Sequence, residues 1–422
     1  MLKNKHIVEK EDAHKNALET RLADESDAPL AKPSHKLERK YIVCLVAGIV
    51  GLVGGVACLV AGLLMPSATG AKLTFPQIPS KSTESDTHYS ALTGEPLADA
   101  AAVTAPTYCI QTPNGTDGAR PQSGLTQAGV VFEAIAEAGI TRNAAIYQAP
   151  SQAVIGPIRS LRLYYLEWDT PFDCTIVHAG GADDALQAVT AGGYRDLSED
   201  YTYMYRGTSG TRLWNNLFTT SAHLAQYSSD HGYNTSDVKG FKRMTPTESA
   251  HARVDANVAE KLDITKPATG NTSEVVASVN SINLNLGGWA TFNVHYEYDA
   301  ASNTYKRSYE SGEPHEVYQC PDEDLGEKNP EDICSLVQMS PSVVVAMVVQ
   351  ESKASDNYHE DITTIGSGKA YIFQNGTVIA GNWSKASVGD QIKFTDESGA
   401  EVALAPGQTF VTAVPEYGSV EY

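Results

Sequence analysis

The sequence predicts an α/β or α+β N-terminal domain followed by a β-rich C-terminal domain, both extracytoplasmic and preceded by one transmembrane helix. Three observations carry this. Tyr41 to Met65 is a run of apolar and small residues with no charge. Between residues 91 and 268, strand-like and helix-like runs alternate. From 275 to 422 the runs are almost all strand-like and are separated by turn residues.

The chain has 422 residues, 42% of them hydrophobic and 19% charged, which is enough apolar material for two sizeable cores. Its formal net charge of -20 argues against nucleic acid as a partner, because phosphate neutralisation needs Lys and Arg. No internal repeat is visible.

Residues 1–40 are polar and carry both signs of charge, the composition of a disordered cytoplasmic tail. The run 41–65 reaches about 37 Å as a helix, enough to cross a hydrocarbon core of about 30 Å. Gly51, Gly54 and Gly55 suit close helix packing in lipid. Lys36, Arg39 and Lys40 precede the run, and little positive charge follows it. The positive-inside rule therefore predicts a single-pass protein of the cell membrane, with the N-terminus cytoplasmic and the bulk of the chain outside. A cleaved signal peptide is the rival reading, but the long charged tail and the length of the run count against it. A lipidation site at Cys58 is a further alternative, although apolar residues continue past it. Residues 66–90 are rich in Ser, Thr and Pro and read as a flexible linker.

In the first outer half, 91–268, Val130–Glu137 and Asn143–Gln148 fit two strands around a turn at Ala138-Gly139. Ile158–Trp168, entered through Gly156-Pro157, fits a helix with Pro in its first turn. Phe172–His178 reads as a strand and Asp183–Ala191 as a helix. In the second half, 275–422, Thr291–Tyr298 and Thr304–Glu310 flank a turn, and Ser342–Gln350 is a continuous apolar strand. Ala370–Gln374 and Thr377–Trp383 surround Asn375-Gly376, a two-residue hairpin signal. Gln391–Thr395 and Thr409–Val414 complete a sheet or barrel.

Four cysteines lie on the expected outer side, where oxidation is allowed. Cys320 and Cys334 bracket an acidic, Pro-containing loop, and a bridge between them would tie it down; Cys109 with Cys174 is a second candidate pair. No Cys/His spacing suggests zinc, and no cofactor is expected.

Several side chains suggest chemistry. Glu133 and Glu137 interrupt an apolar run, and a buried carboxyl is what a general acid needs. A glycosidase pair wants carboxyls about 5–9 Å apart. On a strand, i and i+4 are about 13 Å apart, so the two share a face without forming such a pair. One of them acting alone, and the bland reading of a solvent-facing strand edge, both stay open. Arg120, Arg142, Arg159 and Arg162 are conspicuous in so acidic a chain; they would suit an anionic ligand, or internal salt bridges. His178 ends a strand before Gly180 and Gly181, a turn able to present N–H groups, and is a candidate acid/base or a structural histidine. Gly366-Ser367-Gly368-Lys369 departs from a phosphate loop at Thr363 and Ala370 and leads into a strand, so it is rejected. Ser160 and Ser221 lack a GxSxG context.

Taken in order, Leu92-Thr93-Gly94, Arg120-Pro121-Gln122-Ser123-Gly124-Leu125, Glu137-Ala138-Gly139-Ile140-Thr141-Arg142 and Ile155-Gly156-Pro157-Ile158-Arg159-Ser160 resemble the YerB-like family of bacterial cell-envelope proteins. So do Val177-His178-Ala179-Gly180-Gly181, Asn382-Trp383-Ser384-Lys385 and Pro406-Gly407-Gln408-Thr409-Phe410. The resemblance covers about Leu92 to Pro415. It implies a pair of domains of unknown function, commonly tethered outside the membrane as lipoproteins. This chain departs in its transmembrane-like anchor and at Asn215, where relatives tend to carry a His.

These readings lead to an envelope protein that binds peptidoglycan or another anionic wall polymer through Arg120, Arg142, Arg159, Arg162 and His178. The alternatives are a wall-glycan-cleaving enzyme using Glu133 or Glu137, and an assembly scaffold. The residues leave open whether it is an enzyme.

Overall fold

The structure, a computed structural model, describes residues 87–209, 214–253 and 279–422. The expected tail, the apolar run 41–65 and nearly all of the linker lie outside these residues. Among the described residues, no helix is long and apolar enough to cross a membrane.

Ten strands form one mixed sheet: β1 (Thr107–Pro113), β2 (Val130–Glu137), β3 (Ile140–Gln148), β4 (Thr175–His178), β5 (Asp196–Ser198), and, from the second half, β9 (Val343–Val349), β10 (Gly366–Gln374), β11 (Thr377–Lys385), β12 (Lys393–Asp396) and β13 (Thr409–Pro415). Four more, β6 (Ser281–Asn285), β7 (Val294–Asp299), β8 (Thr304–Tyr309) and β14 (Ser419–Glu421), form a second sheet in the order β8-β7-β6-β14. The large sheet runs β12-β11-β10-β9-β13-β2-β3-β1-β4-β5. Strands from both sequence halves thus share one hydrogen-bonded layer. The seam is parallel, with Thr409 opposite Val130 and Thr412 opposite Glu133.

The hairpin β2–β3 follows from its sequence. Residues buried on both faces build the strands, and Ala138 and Gly139 take the positive φ values (49° and 78°) that a tight turn requires. The second strand starts at Ile140, three residues earlier than its apolar pattern suggests. Asn375 and Gly376 make the same kind of turn between β10 and β11 (φ 54° and 74°).

The helix expected from Ile158 begins instead at Leu163. Residues 158–161 are extended, because their N–H groups bond to neighbouring segments: Ile158 to Leu217 O, Arg159 to Gln111 O and Leu161 to Gly180 O. Helix α1 is Leu163–Asp169, and α2 is Asp183–Gly192, packed beside it. Two further helices carry plain end signals. Thr220 caps α3 (Ser221–His231) by accepting from His223 N, and Thr245 with Glu248 forms a capping box on α4 (Pro246–Ala252).

One face of the large sheet packs on α1 through Phe132, Trp168, Phe172 and Phe241, and that core continues into Val345, Ile372 and Trp383 of the second half. The opposite face is covered by two clusters. Ile110, Val131 and Tyr147 pack under Leu224 and Tyr227 of α3; Ile135, Val344 and Phe373 pack under Ile282, Tyr296 and Tyr305 of the second sheet. Cys109 is joined to Cys174 and Cys320 to Cys334. The first bridge links β1 to the start of β4. The second closes the loop between two short strands, Glu316–Gln319 and Ser335–Gln338.

Candidate functional site

Glu133 lies at the seam between the two halves. Its carboxylate is wholly buried and receives Arg307 Nη2 of β8 at 2.7 and 2.9 Å. Asn114 Nδ2 (3.0 Å) and Thr141 Oγ1 (3.1 Å) also donate to Oε1. Arg307 is held in turn by Tyr296 Oη at 3.2 Å and by Nδ1 of His315, which donates from Nε2 to Gln122 (3.0 Å). Burial, then the positive charges of Arg307 and Arg120, push the His315 pKa well below the ordinary histidine value. Burial works against the Arg307 charge as well and is the largest single influence, but Glu133, Tyr296 and Tyr309 together outweigh it and raise the guanidinium pKa. The Glu133 carboxylate is satisfied inside the protein, and it has no surface to offer a glycan.

Glu137 sits elsewhere than strand alternation suggests. The pairing of β2 with β3 slips between Ile135 and Glu137, a bulge that reverses which way the next side chain points. Glu133 meets Thr141 on one face, whereas Glu137 meets Arg142 on the other. Its two oxygens receive Arg142 Nη2 (2.7 Å) and Arg162 Nη2 (2.5 Å). Both arginines are 5% exposed, and each also donates to a carbonyl, of Ser160 and Leu161 respectively. The two carboxylates therefore do not share a face.

The remaining predicted residues fall in several places. Arg120 lies 3.6 Å over the Tyr309 ring and donates to Asn114, so its charge belongs to the Glu133 cluster. His178 is buried, with Nδ1 on Gly180 O (2.7 Å) and Nε2 on Asp196 (2.8 Å), a clamp between the ends of β4 and β5. Gly180 turns at φ 63°, and Gly181 pairs with Leu161, so this loop packs on the extended segment before α1. Arg159 is half-buried, its backbone bridging β1 and the residue after β4, and its Nε has no hydrogen-bond partner. Asn215 is buried and donates to Asp117.

Arg162 and Gly181 lie at a cleft of about 660 Å³ that the sequence does not point to. One wall is the start of α1 and α2 with Glu167, Asp183 and Asp184. The other is the hairpin loop of the second half, with Asp356, Glu360 and Asp361. The basic side chains of its lining are Arg162, neutralised by Glu137, and His359, which contacts Asp356 at 2.5 Å. Hydrogen bonds from two backbone N–H groups and then the contact with His359 hold Asp356 down at a pKa of about 2. Thr364 donates to Glu167 across the cleft, and Lys353 pairs with Glu360. A backbone bridge between Glu137 and His359 fixes the second wall to the end of β2. The cleft is acidic and jointly built by both halves, and its carboxylates favour positive over negative charge.

Arg307 is the residue that sequence reading overlooks. It sits in an ordinary alternating strand, and only the need of a buried Glu133 for a counter-charge would have called for it.

Residues 92–234 match the N-terminal domain of a family described as proteins of unknown function (DUF3048), and 283–411 match the C-terminal domain of the same family. A Bacillus subtilis protein named YerB, described as a candidate lipoprotein, is 27% identical over 310 residues, spanning 72% of this chain and 80% of that one. The crystal structure of YerB from Bacillus subtilis superposes with a TM-score of 0.60 at 20% identity, covering 79% of this chain and 100% of that one, a likeness of fold.

Proposed function

The chain belongs to the DUF3048 family, and on that premise we propose that it is a membrane-anchored, extracytoplasmic envelope protein that binds a wall component without cleaving it. The description of the Bacillus subtilis relative and the apolar run 41–65 both support a tether. The observation that carries the binding reading is the 660 Å³ cleft shared by the two halves.

Its charge redirects the ligand. Arg120, Arg142 and Arg162 are occupied internally, and carboxylates dominate the cleft. An ammonium-bearing wall peptide suits that lining better than an anionic polymer does. Cleavage would need an acid or base at a surface; Glu133 is buried in an ion pair and Glu137 is held by two guanidinium groups.

Sedimentation with purified peptidoglycan sacculi tests this. The protein should pellet with the wall, release no muropeptides, and lose most of its binding in Asp183→Asn/Asp361→Asn. Muropeptides in the supernatant that disappear in Glu137→Gln would replace the binding reading with a hydrolytic one. Failure to pellet would remove the wall as ligand.

A further inference from the structure

The outer face of the second sheet holds a separate groove of about 430 Å³. Strand register arranges its side chains in rows across the four strands. Glu421 lies opposite Asn283, Asn283 opposite His295 and His295 opposite Ser308; Ser419 lies opposite Asn285 in the next row. An ordinary solvent face carries long, mobile charged side chains. The centre of this one is made of short amides, each fixed by an internal hydrogen bond.

Those bonds leave a defined set of groups facing the groove. Asn283 Oδ1 accepts from His295 Nδ1 (2.7 Å), and Asn285 Oδ1 accepts from Gly287 N (2.8 Å). Both amide oxygens are thereby engaged, and Nδ2 of each remains as an oriented donor. Asn293 is spent on both sides: Oδ1 takes Leu286 N (2.9 Å), and Nδ2 donates to Glu310 Oε2 (2.7 Å), which leaves Oε1 of Glu310 as an acceptor. Ser419 and Glu421 add acceptors on the opposite bank. Beside Ser419, the ring of Tyr417 is 61% exposed yet pinned. Its hydroxyl donates to Glu351 at 2.6 Å, and its edge rests on Gly287, where a Cβ would come within 2.3 Å of the ring.

Fixed donors alternating with fixed acceptors, next to an exposed aromatic ring, match a ligand made of hydroxyl groups on an apolar carbon frame. Each hydroxyl both donates and accepts, and the C–H faces of a sugar ring can lie on an aromatic ring. We propose that this groove binds a short stretch of uncharged, hydroxyl-rich glycan. The proposal extends the wall-binding reading to a second site, chemically distinct from the acidic cleft.

Calorimetric titration of the purified full-length chain, in a mild detergent, with a β-1,4-linked N-acetylglucosamine tetramer tests it. Maltotetraose serves as a second neutral glycan. Saturable binding to at least one of them is expected. Asn283→Asp/Asn285→Asp keeps the internal acceptors while removing both donors, and should weaken binding at least tenfold. Tyr417→Ala should weaken it, and Tyr417→Phe should weaken it less. Asp183→Asn/Asp361→Asn should leave tetrasaccharide binding unchanged, so that failure of the cleft reading is told apart from failure of this one. No saturable binding of either glycan would overturn the proposal. So would unchanged affinity in the double Asp variant with its thermal transition intact. If that variant does not fold, Asn285→Ser takes its place under the same criterion.

Discussion

Glu133 and Arg307, 174 residues apart in the chain, meet at 2.7 Å with neither side chain exposed. The pair joins β2 of the first half to β8 of the second. It turns a carboxylate that reads as chemistry into one that reads as assembly.

Removing one partner should therefore be costly. Glu133→Ala or Arg307→Ala is expected to lower unfolding free energy by about 3–5 kcal/mol, because the remaining charge is left buried without compensation. Glu133→Ala/Arg307→Ala together should cost clearly less than the sum of the single changes. A urea-denaturation double-mutant cycle measures this coupling. Additive losses would mean that the two charges do not depend on each other.

His315 predicts a pH dependence. Its folded pKa lies well below the ordinary 6.5, so on acidification the unfolded chain takes up a proton before the folded one does. Its contribution is fully present above about pH 6.5 and is lost as pH falls below that, with a slope of up to about 1.4 kcal/mol per pH unit. Urea midpoints measured from pH 8 to pH 5 in the parent and in His315→Gln should differ by this slope, the parent losing more stability on acidification than the variant.

Glu351 acts in the opposite sense. Burial raises its pKa to about 7 from 4.5, with the hydrogen bond from Tyr417 and the charge of Lys353 offsetting only part of that. The folded state keeps this proton while the unfolded state loses it, so stability declines as pH rises from 4.5 to 7. Glu351→Gln should be more stable than the parent at pH 8, by up to about 3 kcal/mol, and no more stable at pH 4. Equal gains at both pH values would point to packing as the cause.

The two disulfides close loops of different length, with sequence separations of 65 and 14. In the loop-entropy model, Cys109→Ala/Cys174→Ala should cost about 4 kcal/mol and Cys320→Ala/Cys334→Ala about 3 kcal/mol. Thermal unfolding of the parent with and without reductant gives the combined effect. A transition that reductant does not move would show that the thiols are unpaired.

Much of the scaffold was legible because it is written locally. The limits of β2 and the turns at Ala138-Gly139 and Asn375-Gly376 follow from short-range pattern and backbone preference. What escaped depends on distant partners. Gly156-Pro157 looks like a helix start, yet the N–H groups of Ile158, Arg159 and Leu161 find acceptors on Leu217, Gln111 and Gly180. The bulge between Ile135 and Glu137 leaves no trace in residue type, so a period of two put both glutamates on one face. The acidic cleft is less legible still, since its walls are some 170 residues apart and neither is unusual alone.

The place of β13 has a consequence for how the molecule comes together. This strand, 409–415, is the last of the large sheet in sequence, yet it lies between β9 and β2 in the middle of the layer. Until it inserts, the first half ends at an open β2 edge and the second at an open β9 edge, both lined by apolar residues that invite pairing with another chain. The molecule is thus assembled like an arch closed by its keystone: neither side can finish its layer alone, and everything laid down before residue 409 waits for the piece that locks it.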